Sequence, residues 1–244
     1  MNKTSKVLRV LSLFSDSRKY LTAADIVKQL QVSQATAYRY IQELKEVGFL
    51  VGDAPGSYVL GPALIRLDRL VREHDPLISA SRELMQQLSR QTGATVLLAR
   101  HVDGAVMSVA QAIGRYGPAM FSYERGRVMP LYQGSPAVVI LANLSQAQLN
   151  ERIAADALAI EAAGLPLDAA NLYRSLTPIR QQGFAYTHGA VDQGVMGWSV
   201  AIRSANEVLG SFSALLDDTT PEVRPKKIIE ELRRTALRIE ARLD

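Results

Sequence analysis

The chain has 244 residues, 48% of them hydrophobic and 21% charged, the composition of a folded protein with about two domains. It has no cysteine, which excludes a disulfide framework and a thiolate metal site and fits a reducing compartment, and no window reaches the apolar length of a membrane span. Residues 1–50 carry eight Lys and Arg against four Asp and Glu, so this region holds a surplus equal to the net charge of +4 of the whole chain, a distribution that suits a phosphate-contacting surface. The opening stretch MNKTSKVLRVLSLFSD puts basic residues before apolar ones, as a signal peptide does. Arg9 and Ser12 break its apolar run, however, and no small-residue cleavage site follows. Val7, Leu8, Leu11 and Phe14 lie at helix-stripe spacing instead, so the region reads as a first helix of a soluble, cytoplasmic protein.

Leu21 to Gly48 reads as two helices joined by a tight turn. Thr22 with Asp25 three residues on has the form of a capping box, and Ile26, Val27 and Leu30 then face inward. Gln31-Val32 turn the chain and Ser33 caps a second helix, in which Ala37, Ile41, Leu44 and Val47 form the buried stripe and which Gly48 ends. Its other face shows Gln34, Thr36, Tyr38, Arg39, Gln42 and Lys45, side chains that hydrogen-bond base edges and phosphates. Phe49-Leu50-Val51 and Ser57 to Leu60 are short strands around the turn Asp53-Ala54-Pro55-Gly56, a hairpin of the kind that forms a wing. Helix, helix-turn-helix and hairpin in that order make a winged helix-turn-helix domain over residues 1–61. The candidate DNA-contacting residues are Thr22, Ser33, Gln34, Thr36, Tyr38, Arg39, Gln42, Lys45 and, on the returning wing strand, Tyr58.

Gly61-Pro62 opens a linker helix over residues 62–75 whose stripe is Ala63, Leu64, Leu67, Leu70 and Val71. That stripe has two uses, packing on its own domain or pairing with a second copy, and reading two half-sites favours the pair. Asp75-Pro76 starts the next helix, with Leu77, Ala80, Leu84 and Leu88 inward, and Gly93 ends it. Ala94 to Val102 and Ala105 to Ala112 are strands about the turn Asp103-Gly104; a further strand is expected at Met120 to Tyr123. Ser135 to Asn143 is a short, nearly all-apolar and hence buried helix. Ser145 with Gln148 opens a helix towards Gly164, and Asp168 caps another that ends at Gly183, with Pro178 either kinking it or marking its true start. Phe184 to Thr187, Val195 to Ile202 and Val208 to Leu216 are strands, and a charged helix runs from about Pro225 to Leu243. Antiparallel strands with helices segregated between them make residues 76–244 an α+β domain.

The order of parts and the local wording resemble the IclR family of bacterial transcription regulators. The resemblance is carried by KVLRVLSLF, LTAADIVKQLQVSQATAYRYIQELKEVGFL, GSYVLGPALIRL, ELMQQLSRQTGATVLLA, PLYQGSPAVVILANLS, IRQQGFAYTHGAVDQGVMGWSVAI and GSFSALL, and so covers nearly the whole chain. It implies an α+β protein: a winged helix-turn-helix joined by a linker helix to a GAF-like antiparallel-sheet effector domain. It also implies a homodimer, often a dimer of dimers, that binds double-stranded operator DNA and controls a catabolic operon in response to a small metabolite. Carried over by position, the effector-lining residues are Ser135, Pro136, Thr187, Val195, Gly197 and Ser213; no cofactor and no metal are expected, since the sequence has no phosphate-binding glycine loop, no dinucleotide fingerprint and no metal-ligand spacing. The chain departs from the family pattern at Gln34-Ala35, where a Lys-Ser pair is usual, and at Tyr132 and Ala137-Val138-Val139, where a His and a Gly-Lys-Ala are usual. These departures alter operator preference and give the pocket a bulkier, more apolar wall.

From the residues alone, Gly134-Ser135-Pro136 starts a helix whose free amides attract an anion, with Ser135 either a hydroxyl donor or simply the N-cap. A helix start beside an apolar wall suits an aromatic carboxylate. By strand alternation Trp198 points away from the face of Gly197 and belongs to the core. Two rival readings remain. One is a winged-helix protein-interaction module without an effector. The other is a hydrolase built on Ser135, His188 and Asp192, which the absence of a nucleophile elbow disfavours. His74, His101 and His188 lack metal-ligand spacing, and His74 and His101 read as solvated.

Overall fold

The computed structural model describes residues 6–119, 121–205 and 207–243. Lys3, counted in the basic excess, and Met120, the expected first residue of a strand, lie outside the described residues. The chain divides into two compact units, Met1–Asp75 and Pro76–Asp244.

In the first unit a 3₁₀ helix at Leu8–Leu13 precedes β1 (Leu21–Thr22), α1 (Ala23–Leu30), α2 (Gln34–Glu46), β2 (Leu50–Ala54), β3 (Ser57–Leu60) and α3 (Pro62–His74). The expected first helix is therefore wound more tightly than an α-helix. At three residues per turn Val7, Val10 and Leu13 stack in line, so Val10 is fully buried while Leu8 is half exposed, the reverse of the α-helical expectation. The capping box is formed in full: the amide of Asp25 donates to Thr22 Oγ1 (3.2 Å), and the amide and hydroxyl of Thr22 donate to Asp25 Oδ2 (2.8 and 2.7 Å). Gln31 closes α1 in the left-handed region at φ 52°, and the amide of Thr36 donates to Ser33 Oγ (3.2 Å) to start α2. Ile26, Leu30, Ala37, Ile41 and Leu44 meet Leu21 and Leu50 in one core. Val47 is 56% exposed, not part of the stripe, because α2 stops at Glu46 and leaves Val47 as its cap.

The wing hairpin gains a third strand that periodicity did not reveal. β1 pairs with β3 through Leu21↔Tyr58 and Thr22↔Ser57, giving the order β1-β3-β2. Gly61 joins wing to α3; its amide donates to the Phe49 carbonyl (2.7 Å), and a Cβ there would strike the Gly48 carbonyl oxygen. On α3, Ala63 is buried, but Ile65, Leu67, Leu70 and Val71 are 36–72% exposed in the single chain.

The second unit runs α4 (Pro76–Thr92), β4 (Thr95–Val102), β5 (Ala105–Ala112), β6 (Val128–Pro130), α5 (Ser135–Ala142), α6 (Gln146–Ala162), α7 (Ala169–Ser175), α8 (Thr177–Gln182), β7 (Ala185–His188), β8 (Val195–Ser204), β9 (Glu207–Asp217) and α9 (Pro225–Glu240). Its six strands form one antiparallel sheet in the order β6-β5-β4-β9-β8-β7. Helices cover both faces. Val96, Leu98, Trp198, Val200 and Phe212 pack on α4 and α9, whereas Leu97, Ala99 and Leu215 pack against α5 and its neighbours. Double coverage explains why β4 reads as an unbroken apolar run rather than an alternation. Asp103 (φ 49°) and Gly104 (φ 79°) turn the β4–β5 hairpin with both central residues at positive φ, as a type I′ turn requires.

Three expectations need correction. Residues 121–123 form no strand; the strand partner of β5 is β6, whose Pro130 sits on the sheet edge, where a missing N–H costs no ladder bond. The stretch from Asp168 to Gly183 is two helices rather than one kinked helix, so of the two alternatives at Pro178 the helix start is the one found, with Pro178 in the first turn of the second. His101 is half buried rather than solvated, its Nε2 has no hydrogen-bond partner among the described residues, and burial pushes its pKa down, with Arg152 adding to the effect.

Candidate functional site

Two sites take shape, one in each unit. On α2 the residues that the core does not claim form one polar surface. Gln34, Tyr38, Arg39, Gln42 and Lys45 are all exposed, with Tyr38 half open to solvent. Their intramolecular ties are weak ones. Arg39 Nε lies 3.7 Å from Glu43 Oε1, and Gln42 Nε2 donates to Glu46 Oε1 at 3.2 Å; both are exposed pairs one helical turn apart, of the kind that contributes a few tenths of a kcal/mol, roughly. Lys45 reaches over the ring of Tyr58 at 5.8 Å, which brings the end of α2 and the wing strand β3 to one edge of the surface. Thr22, Ser33 and Thr36 stand apart from these. Thr22 is held in the capping box, and the hydroxyls of Ser33 and Thr36 bond each other at 2.9 Å at the start of α2. Their first employment is to build the helices.

In the second unit the start of α5 lies against β7 and β8. A small cavity, with room for about one water-sized group (20 Å³), is lined by Ser135, Pro136, Thr187, Val195 and Gly197 together with Tyr123, Gly134, Val191, Asp192 and Leu215. Ser213 lies one hydrogen bond behind it: Ser199 Oγ bonds both Ser135 Oγ (2.8 Å) and Ser213 Oγ (2.7 Å), and all three hydroxyls are fully buried. Gly197 is required by this packing, since a Cβ would fall 2.6 Å from Ser135 Oγ and 3.0 Å from Leu215 Cδ2. The amide of Ser135 donates to Thr187 Oγ1 (2.9 Å), Pro136 has no amide proton, and the amides of Ala137 and Val138 both donate to the Gly134 carbonyl. The amides of that first turn are therefore occupied, and the donors left to face a ligand are hydroxyls.

Sequence reasoning missed Tyr123 and named Asp192 only in the hydrolase alternative, whereas both line this cavity. Tyr123 donates its hydroxyl to the Gln133 carbonyl (2.8 Å); burial, with the negative charge of Asp192 adding to it, pushes its pKa well above the usual phenol value. Asp192 accepts from the amide and hydroxyl of Ser122 (2.7 and 2.6 Å), joining the loop 189–194 to the segment that carries Tyr123. Tyr132, expected on the pocket wall, instead donates its hydroxyl to Asp156 Oδ2 on α6 (2.7 Å). The bulky wall is Tyr123. Ser199 was findable, two residues after Gly197 and so on the same face of β8. Trp198 lies on the opposite face, buried against Tyr186 with ring centroids 5.0 Å apart.

The hydrolase constellation does not assemble. Ser135 Oγ is tied to Ser199, Asp192 to Ser122, and His188 Nε2 to Asp218 Oδ2 at 3.0 Å.

Family models match both units: the IclR helix-turn-helix domain over residues 4–54 and the bacterial transcriptional regulator IclR C-terminal domain over residues 70–241. The chain belongs to the IclR family. It is similar to the HTH-type transcriptional regulator KipR of Bacillus subtilis, at 23% identity over 99% of this chain and 97% of the relative. Among solved structures it resembles an IclR transcriptional regulator from a Silicibacter species, at 26% identity, TM-score 0.77 and coverage of 99% and 96%. It also shares the fold of an IclR homologue from Microbacterium hydrocarbonoxydans complexed with 4-hydroxybenzoate, at 22% identity, TM-score 0.76 and 99% coverage of both chains. As an IclR-family protein the chain is a DNA-binding transcriptional regulator with an effector domain, not an enzyme. No helix among the described residues is long and apolar enough to cross a membrane.

Proposed function

We propose that this IclR-family regulator acts in the cytoplasm on the operator of a catabolic operon. In this reading the exposed face of α2 enters the major groove, and a small aromatic carboxylate in the cavity at the start of α5 controls the affinity. The observation that carries the DNA reading is the exposure of Gln34, Tyr38, Arg39, Gln42 and Lys45 on one helix, with Tyr58 of the wing at its edge. Ser33 and Thr36 position the start of that helix. Thr22 contributes through the capping box. The bare apolar face of α3 supports pairing of two copies, which two half-sites require.

The effector reading rests on the cavity between Ser135, Pro136, Thr187, Val195 and Gly197, with Ser213 supporting Ser135 through Ser199. The complex of the Microbacterium homologue with 4-hydroxybenzoate favours an aromatic acid. An effector domain of GAF-like type fits the central antiparallel sheet. Its cavity has room for about one water-sized group, so binding of an aromatic ring requires the lining to rearrange.

The test is fluorescence anisotropy with DNA from upstream of the protein's own gene, at two salt concentrations, with and without a panel of aromatic and aliphatic acids. Tight, sequence-dependent binding shifted by an aromatic acid is expected. Arg39→Ala and Tyr38→Ala each lose about 1–3 kcal/mol of specific binding if they touch bases. Binding that is equally weak on every sequence, and unmoved by either substitution, supports the protein-interaction module instead.

A further inference from the structure

We infer that the cleft at the other end of α5 from the effector cavity is a second binding site, and that its ligand is a small organic dicarboxylate held by Arg180 and Arg203.

α5 starts at Ser135 in the effector cavity and stops at Asn143 in an open cleft of about 730 Å³, and the two share no lining residue. Three elements distant in the sequence deliver guanidinium groups to this cleft: Arg100 from β4, Arg180 from α8 and Arg203 from β8. Glu207 is the one carboxylate in the lining. His101 adds no charge near neutral pH, because burial favours its neutral form. The lining thus carries a surplus of two positive charges. Beyond residue 50 the chain is neutral overall, so this surplus is local. The first turn of α6 also borders the cleft through Ser145 and Gln148, and a helix start favours negative charge.

What holds the two guanidiniums is neutral. Arg180 donates to the Ala142 carbonyl (3.0 Å), to Thr177 Oγ1 (2.8 Å) and to the Tyr173 carbonyl, and lies 3.7 Å over the Tyr173 ring. Arg203 donates to Asn143 Oδ1, and Asn143 is fixed in turn by its bond to the Val139 carbonyl (2.7 Å). Both groups are therefore anchored at consecutive residues of the α5 terminus. Among the described residues no carboxylate pairs with either guanidinium; Glu240 accepts instead from the backbone amide of Arg203 (2.8 Å).

Capping the last carbonyls of α5 accounts for Arg180, since a cation belongs at a helix C-terminus. It does not account for Arg203, which is exposed, bonds no helix carbonyl and brings a second like charge to the same place. Like charges anchored side by side repel, and an oxyanion between them turns that repulsion into attraction. A guanidinium fork takes a carboxylate through two parallel hydrogen bonds, so two forks suit two carboxylates. Val208 and Leu209 give the cleft an apolar stretch that suits the carbon chain joining them, which a phosphate lacks. The cleft is open, so the ligand enters without rearrangement.

The test is isothermal titration calorimetry of the full-length protein with succinate, adipate, butyrate and inorganic phosphate, at low and high salt. Succinate or adipate is expected to bind at least about tenfold more tightly than butyrate or phosphate, and to weaken as salt is raised. Arg203→Gln leaves the α5 cap at Arg180 in place and is expected to weaken that binding about tenfold or more. Trp198 fluorescence establishes that the variant is folded. Equal dicarboxylate binding by the natural chain and Arg203→Gln puts the ligand elsewhere and overturns the site. So does the absence of dicarboxylate binding at about 10 mM. Phosphate or butyrate binding as tightly as both dicarboxylates overturns the ligand class. None of these outcomes bears on the effector cavity, which shares no residue with the cleft.

Discussion

α2 and α5 both bring polar groups to a candidate site, and they do it in opposite ways. α2 has thirteen residues; Ala37, Ile41 and Leu44 are buried and its polar half is open to solvent. α5 has eight residues, seven of them buried, and no side-chain cap at its entry. The polar groups of α2 exchange water for a new partner without disturbing anything beneath them. Those of α5 are already bonded to one another and to the sheet through Thr187, Ser199 and Ser213, so a ligand there competes with internal bonds, each contributing roughly 0.5–1.5 kcal/mol. The contrast suits a surface that recognises a large rigid partner and a cavity that responds to a small one by rearranging.

Substitutions sharpen this contrast when the two units are followed separately. Trp198, the only tryptophan, reports the second unit by fluorescence, while loss of helical circular dichroism not accompanied by a change in Trp198 fluorescence reports the first. The largest effect is expected from Gly61→Ala, which drives a Cβ into the Gly48 carbonyl at the wing–α3 junction. The first unit should lose about 3 kcal/mol and operator binding should fail, with the Trp198 transition unmoved. Next is Gly197→Ala, which pushes on Ser135 Oγ and Leu215. A loss of about 2 kcal/mol should appear in the Trp198 transition, and effector heats in calorimetry should vanish.

Thr22→Val should cost the first unit about 1 kcal/mol near neutral pH by removing the cap. The hydrogen bonds from Thr22 hold the Asp25 carboxyl below its usual range. The stabilisation is therefore complete above the ordinary carboxylate pKa and is lost as pH falls through the lower folded value. The difference between Thr22→Val and the natural chain should accordingly shrink in acid unfolding below that point. If it persists undiminished, Asp25 is not the partner that matters. Arg39→Ala, on the exposed face, should change stability by no more than about 0.5 kcal/mol while weakening operator binding. A large stability loss there would erase the contrast between the two helices.

The same contrast explains what was legible in the residues. An amphipathic helix announces its faces, so α1, α2, their caps at Thr22 and Ser33, and the exposed set from Gln34 to Lys45 were readable by period. β1 escaped because two residues carry no period. The 3₁₀ winding at Leu8–Leu13 escaped because its apolar residues also satisfy an α-helical stripe. α5 reads as buried, but an all-apolar helix does not say which side meets the sheet. Ser135 and Pro136 were readable as a helix start, whereas Thr187, Val195 and Gly197 entered as candidates through the family resemblance alone. Tyr123 and Asp192 belong to segments without secondary structure, joined across long stretches of chain by side-chain contacts that no local pattern encodes.

The strand order also sets a timetable for the growing chain. The wing sheet pairs strands lying close together in the sequence and can form once Leu60 has emerged from the ribosome. β4 finds one neighbour at once in β5 but must wait for its other, β9, until synthesis reaches Glu207–Asp217. During that interval an open strand edge and the uncovered residues of β4 are exposed to chaperones and to other nascent chains. The part that reads DNA is thus finished while the part that governs it is still being made.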